Sequence, residues 1–243
     1  MTLPLSQIPV AILAGGLATR LRPKTETVPK ALLPLAGKPF IDHQLDLLHR
    51  NGIRKVVMCL GYLGQMVHDH LGDGSSRGMQ LCYSFDGEKL LGTGGAIRRA
   101  LPLLGEVFWI MYGDSYMDID YRAILKAFAA DPRALGLMTV LHNAGRWDKS
   151  NVVFQDGRLL RYDKKNASAQ MQHIDYGVAL LRREAVERIA PDAPADLADL
   201  YSRLVSEGSM IGYEVAQRFY EIGTPQSLAE ADEYLRKQTG RLE

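Results

Sequence analysis

The sequence predicts an α/β fold: a mostly parallel sheet with helices on both faces and an inserted β-rich subregion in its second half. Two observations predict it. Short apolar runs alternate with stretches of helical period through the first half, the pattern of a parallel sheet covered on both sides. After about residue 130 that alternation gives way to closely spaced strands and an Asp-Gly turn signal. The strands expected in the first half are Ile8 to Leu13, Val56 to Leu60, Gln80 to Phe85 and Val107 to Tyr112. Between them Ile41, Leu45 and Leu48 fall on one helical face, as do Ile97, Ala100, Leu101 and Leu104, which is the helical rather than the strand period. In the second half Leu135 to Leu141 is a strand. Val152 to Phe154 and Leu159 to Tyr162 are joined across Gln155-Asp156-Gly157-Arg158, where Asp-Gly favours a two-residue hairpin. Ile174 to Leu181 follows, then helices near 183 to 190, 196 to 206 and 226 to 236, with short strands near Ile211 and Phe219. No linker, repeat or low-complexity tract interrupts the chain, so a single domain over residues 1–243 is expected.

With 243 residues, 47% of them hydrophobic and 23% charged, the chain can bury one substantial core. Lys plus Arg number 29 against 28 Asp plus Glu, a net charge of +1, which argues against nucleic-acid and anionic-membrane partners. Any basic site must therefore be local. Cys59 and Cys82 each lie in an apolar stretch, VVMCLGY and QLCYSF, and read as buried reduced thiols rather than a disulfide or metal pair. The first apolar run is far shorter than the ~20 residues of a membrane span and has no basic leader. A cytoplasmic protein is the expectation.

The segment Leu13-Ala14-Gly15-Gly16-Leu17-Ala18-Thr19-Arg20-Leu21-Arg22 directly follows the first strand, at the carboxyl edge where open α/β sheets place ligands. Adjacent glycines let backbone N–H groups approach phosphate oxygens. Arg20, Arg22, Lys24, Lys30 and Lys38 stand against the lone Glu26, so this stretch is strongly basic in an otherwise neutral chain. A polyphosphate is its natural partner, since arginine holds phosphate oxygens in two directions at once. Neither G-x-G-x-x-G nor G-x-x-x-x-G-K-[ST] occurs here, so a dinucleotide fingerprint and a Walker loop are both unsupported.

The stretch Gly15 to Pro39, GGLATRLRPKTETVPKALLPLAGKP, closely resembles the signature of the sugar-1-phosphate nucleotidyltransferases, G-G-x-G-T-R-L-x-P-L-T-x-x-x-P-K-x-L-x-P-x-x-G-K-P. The resemblance continues through Leu91-Gly92-Thr93-Gly94-Gly95-Ala96, Gly113-Asp114 and Ile222-Gly223-Thr224-Pro225, in the family's order. It departs at Ala18, where the family has glycine, and at Lys24, where leucine is usual. The resemblance implies a Rossmann-like fold with a nucleotide-binding half over 1–130 and a sugar-phosphate-binding half over 131–243. It also implies attack of a sugar-1-phosphate oxygen on the α-phosphorus of a nucleoside triphosphate. Because the attacking group is already an anion, cations that align and neutralise the phosphates carry the catalysis.

By resemblance, Arg20 holds the β- and γ-phosphates and Lys30 meets the α-phosphate and the sugar phosphate. Leu13, Ala14, Gly15, Gly16, Thr19, Gly92, Thr93 and Gly113 form the nucleotide site. Mg²⁺ is the implied cofactor, held by Asp114 and by Glu221, which replaces the aspartate of the family's D-x-G-T; one or two protein carboxylates suffice for this ion. Tyr162-Asp163-Lys164 resembles F-x-E-K, giving Lys164 the sugar phosphate, with Lys165 as a substitute. Asp175-Tyr176-Gly177-Val178 stands where relatives read N-A-G-[IV], so Asp175 and Gly177 are sugar-side candidates, and Asn151 joins them.

Glu88 gives a hint about the base, because a carboxylate accepts from the adjacent N1–H and N2–H₂ donors that guanine offers. GTP is therefore favoured, and the pattern resembles the bacterial heptose-1-phosphate and mannose-1-phosphate guanylyltransferases. A uridylyl- or cytidylyltransferase acting on another sugar 1-phosphate or on phosphocholine is the alternative, Asp175 being able to face a cation. A non-catalytic module that binds nucleotide sugars is the rival from another class. The six histidines match no zinc or triad spacing, and the aromatics beside the strands read as core. No hexapeptide repeats follow the last helix, so a monofunctional enzyme is expected. A homo-oligomer stays open.

Overall fold

Pro9 has no N–H to give to a ladder, so the first strand, β1 (Val10–Leu13), starts one residue after it rather than at Ile8, which closes a 3-10 turn over Leu5–Gln7. The computed structural model describes residues 4–239. After β1 the basic stretch forms three short 3-10 turns, Thr19–Leu21, Lys24–Glu26 and Lys30–Leu32, and then a small hairpin of β2 (Pro34–Leu35) and β3 (Lys38–Pro39). There follow α1 (Phe40–Arg50), β4 (Lys55–Leu60), α2 (Gly64–Leu71), β5 (Gln80–Phe85), α3 (Gly92–Ala100), β6 (Val107–Tyr112), β7 (Ser115–Tyr116) and α4 (Tyr121–Ala130). The second half contains β8 (Gly136–His142), β9 (Val152–Gln155), β10 (Arg158–Tyr162), β11 (His173–Arg182), α5 (Arg183–Glu187), α6 (Leu197–Ser206), β12 (Met210–Val215), β13 (Tyr220–Glu221) and α7 (Pro225–Thr239).

The main sheet runs β5-β4-β1-β6-β11-β8-β12-β10-β9. Only β11 and β10 run against the other seven strands, so the sheet is mostly parallel as expected. The β-rich second half is not a separate layer, however. Its strands continue the same sheet, because β11 pairs with β6 from Val178↔Met111 to Arg182↔Val107. The hairpin between β9 and β10 has Asp156 and Gly157 both at positive φ, the turn that Asp-Gly favours. The helix expected to reach residue 190 stops at Glu187, since Pro191 disfavours a helical Ala190. The strand expected near Phe219 is β13, one residue on, paired with β7.

Period two sorts the strands onto two cores. Ile12, Met58 and Met111 face α1, α2 and α4 through Leu45, Val67 and Ile124. Ala11, Val57 and Ile110 face α3, α5 and α6 through Ile97, Val186 and Leu204. Asp120 caps α4 by accepting the N–H groups of Arg122 and Ala123, and Asp196 caps α6. A third apolar cluster clamps α7 onto the β2–β3 and β7–β13 pairs through Leu235, Leu35 and Tyr116. Cys59 is fully buried, and burial pushes its thiol up to about 12, whereas Cys82 is only half-buried. No helix among the described residues is long and apolar enough to cross a membrane.

Candidate active site at the carboxyl edge of the sheet

In this sheet β4 and β6 flank β1 on opposite sides, which makes its carboxyl edge the topological switch point where α/β folds bind ligands. A cleft of about 250 Å³ opens there. Leu13, Ala14, Gly15 and Gly16 line it from β1, Cys59 from β4, Tyr112, Gly113 and Asp114 from β6, and Gly92, Thr93 and Ala96 from α3. Lys30 and Ala31 close one side, while Asp86 and Leu90 close another. Gly15 packs so tightly on Gly61 that a Cβ would lie 2.9 Å from the Gly61 nitrogen, whereas Gly16 has open space around it. The first glycine thus serves packing, and the second leaves the cleft open.

Lys30 and Asp114 meet directly: Nζ donates to Oδ2 at 2.9 Å, with the side chains 18% and 30% exposed. The turn bearing Asp114 is braced from below. Gln44 of α1, fully buried, donates its amide to the carbonyls of Tyr112 at 3.0 Å and Ser115 at 2.7 Å. No motif pointed to Gln44; its one sequence signal is a glutamine on the otherwise apolar face of α1.

Glu221 is brought to the same turn by the β7–β13 pair, in which it stands opposite Ser115 while Ile222 N–H donates to the Asp114 carbonyl at 2.9 Å. Burial, and next the neighbouring Asp114 charge, raise the Glu221 carboxyl above its ordinary value; Arg20 and Lys30 oppose this. Two hard carboxylates at one turn, Asp114 and the Glu221 that burial raises, fit a divalent cation. No cluster of three or more metal-ligating side chains occurs among the described residues, so an ion here would take its remaining ligands from phosphate and water, as Mg²⁺ does. Just after Glu221, Thr224 and Ser227 exchange hydrogen bonds at 2.9 and 3.1 Å, and Pro225 opens α7, which fixes this corner.

Several expected residues play other parts. Glu88 is exposed and does not line the cleft; the carboxylate that does is Asp86, 7% exposed, whose Oδ2 accepts Leu91 N–H at 3.1 Å. Burial raises the Asp86 carboxyl above its ordinary value. Thr93 lines the cleft, but its hydroxyl is committed: it donates to Asp196 at 2.9 Å and accepts Leu197 N–H at 2.9 Å, tying α3 to α6. Gly92, at φ +68°, and Gly95 admit the 193–195 backbone, since a Cβ on either would lie 2.6 Å from a carbonyl oxygen there. Gly113 likewise admits Leu13 and Ala14 while it lines the cleft. Thr19 is exposed and Arg20 opens onto a neighbouring cavity, neither lining the cleft. Ala18, where the family has glycine, sits at φ +49°, held by Thr25 Oγ1 donating to its carbonyl at 2.8 Å.

On the opposite side, Lys164 lies over the Tyr112 ring, 5.6 Å from its centroid, with Nζ 3.9 Å from Asp175. Lys165 instead pairs with Asp199 on α6 at 3.3 Å. Asp163 shapes this turn by accepting the N–H groups of Lys165 and Asn166, bonds that hold its carboxyl down at about 2. Asp175 and Asn151 face inward. Tyr162 hydroxyl donates to Asp175 Oδ2 at 3.2 Å, Gly177 N–H to Oδ1 at 3.0 Å, and Asp175 N–H to Asn151 Oδ1 at 2.9 Å. These bonds clip the irregularity in β11, where Gly177 adopts φ +97°. Asp175, Gly177 and Asn151 are thus tied to one another, and Asp175 alone of the three stands beside Lys164.

A Rossmann-like sheet whose switch-point cleft carries a glycine loop, a lysine and an aspartate, with Glu221 beside the same turn, defines a class of α/β proteins suited to phosphate-bearing ligands. The comparisons narrow it: residues 10–238 match the nucleotidyl transferase family, and the chain belongs to it. It is 31% identical to the N-acetylmuramate α-1-phosphate uridylyltransferase of Caulobacter vibrioides, over 94% of this chain and 98% of that protein. It is 28% identical to the UTP–glucose-1-phosphate uridylyltransferase of a Synechocystis strain over 81% of this chain, which spans 55% of that protein. The solved structure of HddC from Yersinia pseudotuberculosis complexed with GMP-PN superposes with a TM-score of 0.76, at 22% identity, over 94% of this chain and all of that one. The fold is therefore shared with solved relatives, and the chain is a nucleotidyltransferase.

Proposed function

We propose that the protein transfers a guanylyl group from GTP to a sugar 1-phosphate of heptose or mannose type, releasing pyrophosphate, with Mg²⁺ at Asp114 and Glu221. The observation that supports this most is the convergence of Lys30, Asp114 and Glu221 at one turn beside the Gly15-Gly16 loop. In this reading Lys30 and Arg20 neutralise phosphoryl oxygens, Lys164 draws in the acceptor phosphate, and the bound Mg²⁺ offsets charge on the phosphates. No general base is required, because the acceptor oxygen is already ionised.

Asp86 supports guanine. It lies at the end of β5, three strands from Asp114 after β6, and three strand spacings are ~14 Å, a separation suited to a base at one end and an α-phosphate at the other. A carboxylate there accepts from both N1–H and N2–H₂ of guanine, while uracil would set carbonyl oxygens against it. A second reading, transfer from UTP, is favoured by the uridylyltransferase matched over nearly its whole length. Pyrophosphate release should be measured with Mg²⁺ for all four NTPs, each paired with heptose, mannose, glucose, N-acetylmuramate and choline phosphates. Turnover with GTP and one sugar phosphate is the expected result. Turnover with UTP alone selects the second reading, and nucleotide-sugar binding without any turnover selects a non-catalytic module.

A further inference from the structure

Asp86 lines the cleft, and the turn that carries it is held by a side chain that does not. Arg99, the penultimate residue of α3, donates through Nη1 to the carbonyls of Phe85 at 3.2 Å and Asp86 at 2.5 Å. One guanidinium nitrogen thus clamps the last residue of β5 and the residue after it. A Cβ on Gly87, at φ +84°, would lie 3.3 Å from the same nitrogen, so the turn closes directly over Arg99. The other arm, Nη2, pairs with the exposed Asp192 at 2.9 Å. The carboxylate of Asp86 is fixed from another direction, because Oδ2 accepts Leu91 N–H while the Leu91 carbonyl accepts Ala195 N–H at 2.9 Å. Of the other titratable groups near it, the Cys59 thiol on β4 is buried, and Glu88 and Lys89 in its own turn are exposed.

We propose that Arg99 is a positioning residue for nucleobase choice, which aims the Asp86 carboxylate into the cleft by clamping the Phe85 and Asp86 carbonyls; the proposal rests on the reading of Asp86 as the group that meets the base. The arginine acts in two ways. Its planar fork reaches two carbonyls and a carboxylate at once, which a lysine ammonium on a flexible stem does not reproduce, so the direction of the Asp86 side chain depends on it. Its charge also bears on ionisation. Burial raises the Asp86 carboxyl, and the Leu91 N–H and then the Arg99 charge oppose that rise. Only the ionised carboxylate accepts from both donors on the guanine edge, whereas the protonated acid spends one oxygen as a donor. Without Arg99 the carboxyl therefore titrates at higher pH, and its preference for a two-donor base fades closer to neutrality.

Carbon-13 titration of the Asp86 carboxyl, its resonance identified by its loss in Asp86→Asn, tests the assignment beside direct binding of GTP and UTP. The proteins compared are the wild type, Arg99→Gln, Arg99→Lys and Asp192→Asn. In Arg99→Gln the carboxyl should titrate at higher pH, and GTP should bind about fivefold more weakly or worse, the scale of one lost net hydrogen bond, while UTP binding changes little. Arg99→Lys should keep the carboxyl titration near that of the wild type and recover GTP binding only in part. Asp192→Asn should match the wild type, because an exposed ion pair contributes little. Coincident carboxyl titrations in the wild type and Arg99→Gln, equal losses of GTP and UTP binding, or a loss in Asp192→Asn as large as that in Arg99→Gln would each overturn the proposal. Failure of the parent reading shows elsewhere, as an Asp86→Asn protein whose preference between GTP and UTP equals that of the wild type.

Discussion

Lys30 donates to Asp114 at 2.9 Å, so the residue expected on the phosphates and the residue expected on the metal hold each other. A metal ion entering at Asp114 competes with the lysine for the same oxygen. Lys30→Met should therefore bind Mn²⁺ about two- to fivefold more tightly without nucleotide, the scale of a partly exposed ion pair, and yet lose ~100-fold or more in turnover. Mn²⁺ titration followed by electron paramagnetic resonance, beside a turnover assay, checks both. Weaker Mn²⁺ binding would show that the lysine does not oppose the ion.

Gln44 supports Asp114 from the core. Gln44→Leu leaves the carbonyls of Tyr112 and Ser115 without the amide that they share, and an orphaned buried acceptor costs about 1–3 kcal/mol. Thermal unfolding should shift down by several degrees, ~2–4 °C per kcal/mol for a chain of this size, and turnover should fall with little change in substrate KM. A variant as stable and active as the wild type would remove Gln44 from any bracing role.

Asp86 predicts a pH signature. Its carboxyl is raised by burial, and only the ionised form accepts two donors. Recognition of guanine is therefore complete well above the raised value and fades as pH falls through it, at a higher pH than an ordinary aspartate would show. The ratio of kcat/KM for GTP to that for UTP should decline from neutral to mildly acidic conditions in the wild type. In Asp86→Asn the ratio should be low and flat, and a profile identical to that of the wild type would exclude Asp86 from base selection.

Ala18 occupies a left-handed conformation in place of a glycine. The strain of a Cβ there is about 1–2 kcal/mol, while a glycine adds about 0.4–1 kcal/mol of unfolded-chain entropy. Ala18→Gly should thus be neutral or stabilising by up to about 1 kcal/mol in denaturant unfolding, and Ala18→Val should be destabilising. A clear loss of stability in Ala18→Gly would contradict the strain.

The strands were legible because buried parallel strands read as bare apolar runs, and Val107 to Tyr112 was placed to the residue. That Lys30 and Asp114 fall in one cleft was legible because both lie in short motifs that follow sheet strands. That Asp86 rather than Glu88 lines the cleft was not, since the two are two residues apart in one polar turn and only the fold decides which of them turns inward. The partners of Thr93 and Asp175 were not legible for a related reason. Their polar groups answer partners far away in sequence, Asp196 and Tyr162, which no local spacing reveals. Arg20 was expected on the phosphates, yet its opening onto a second cavity depends on β13 and α7, some two hundred residues later.

The ladder between β6 and β11 has a mechanical consequence. β6 ends beside Asp114 and β11 carries Asp175, so a run of backbone hydrogen bonds joins the strand that leads to one to the strand that bears the other. Such a floor cannot swing about a hinge. The separation of Asp114 and Asp175 is set in advance by the spacing of neighbouring strands, so the protein is built as a fixed gauge, not as a pair of jaws.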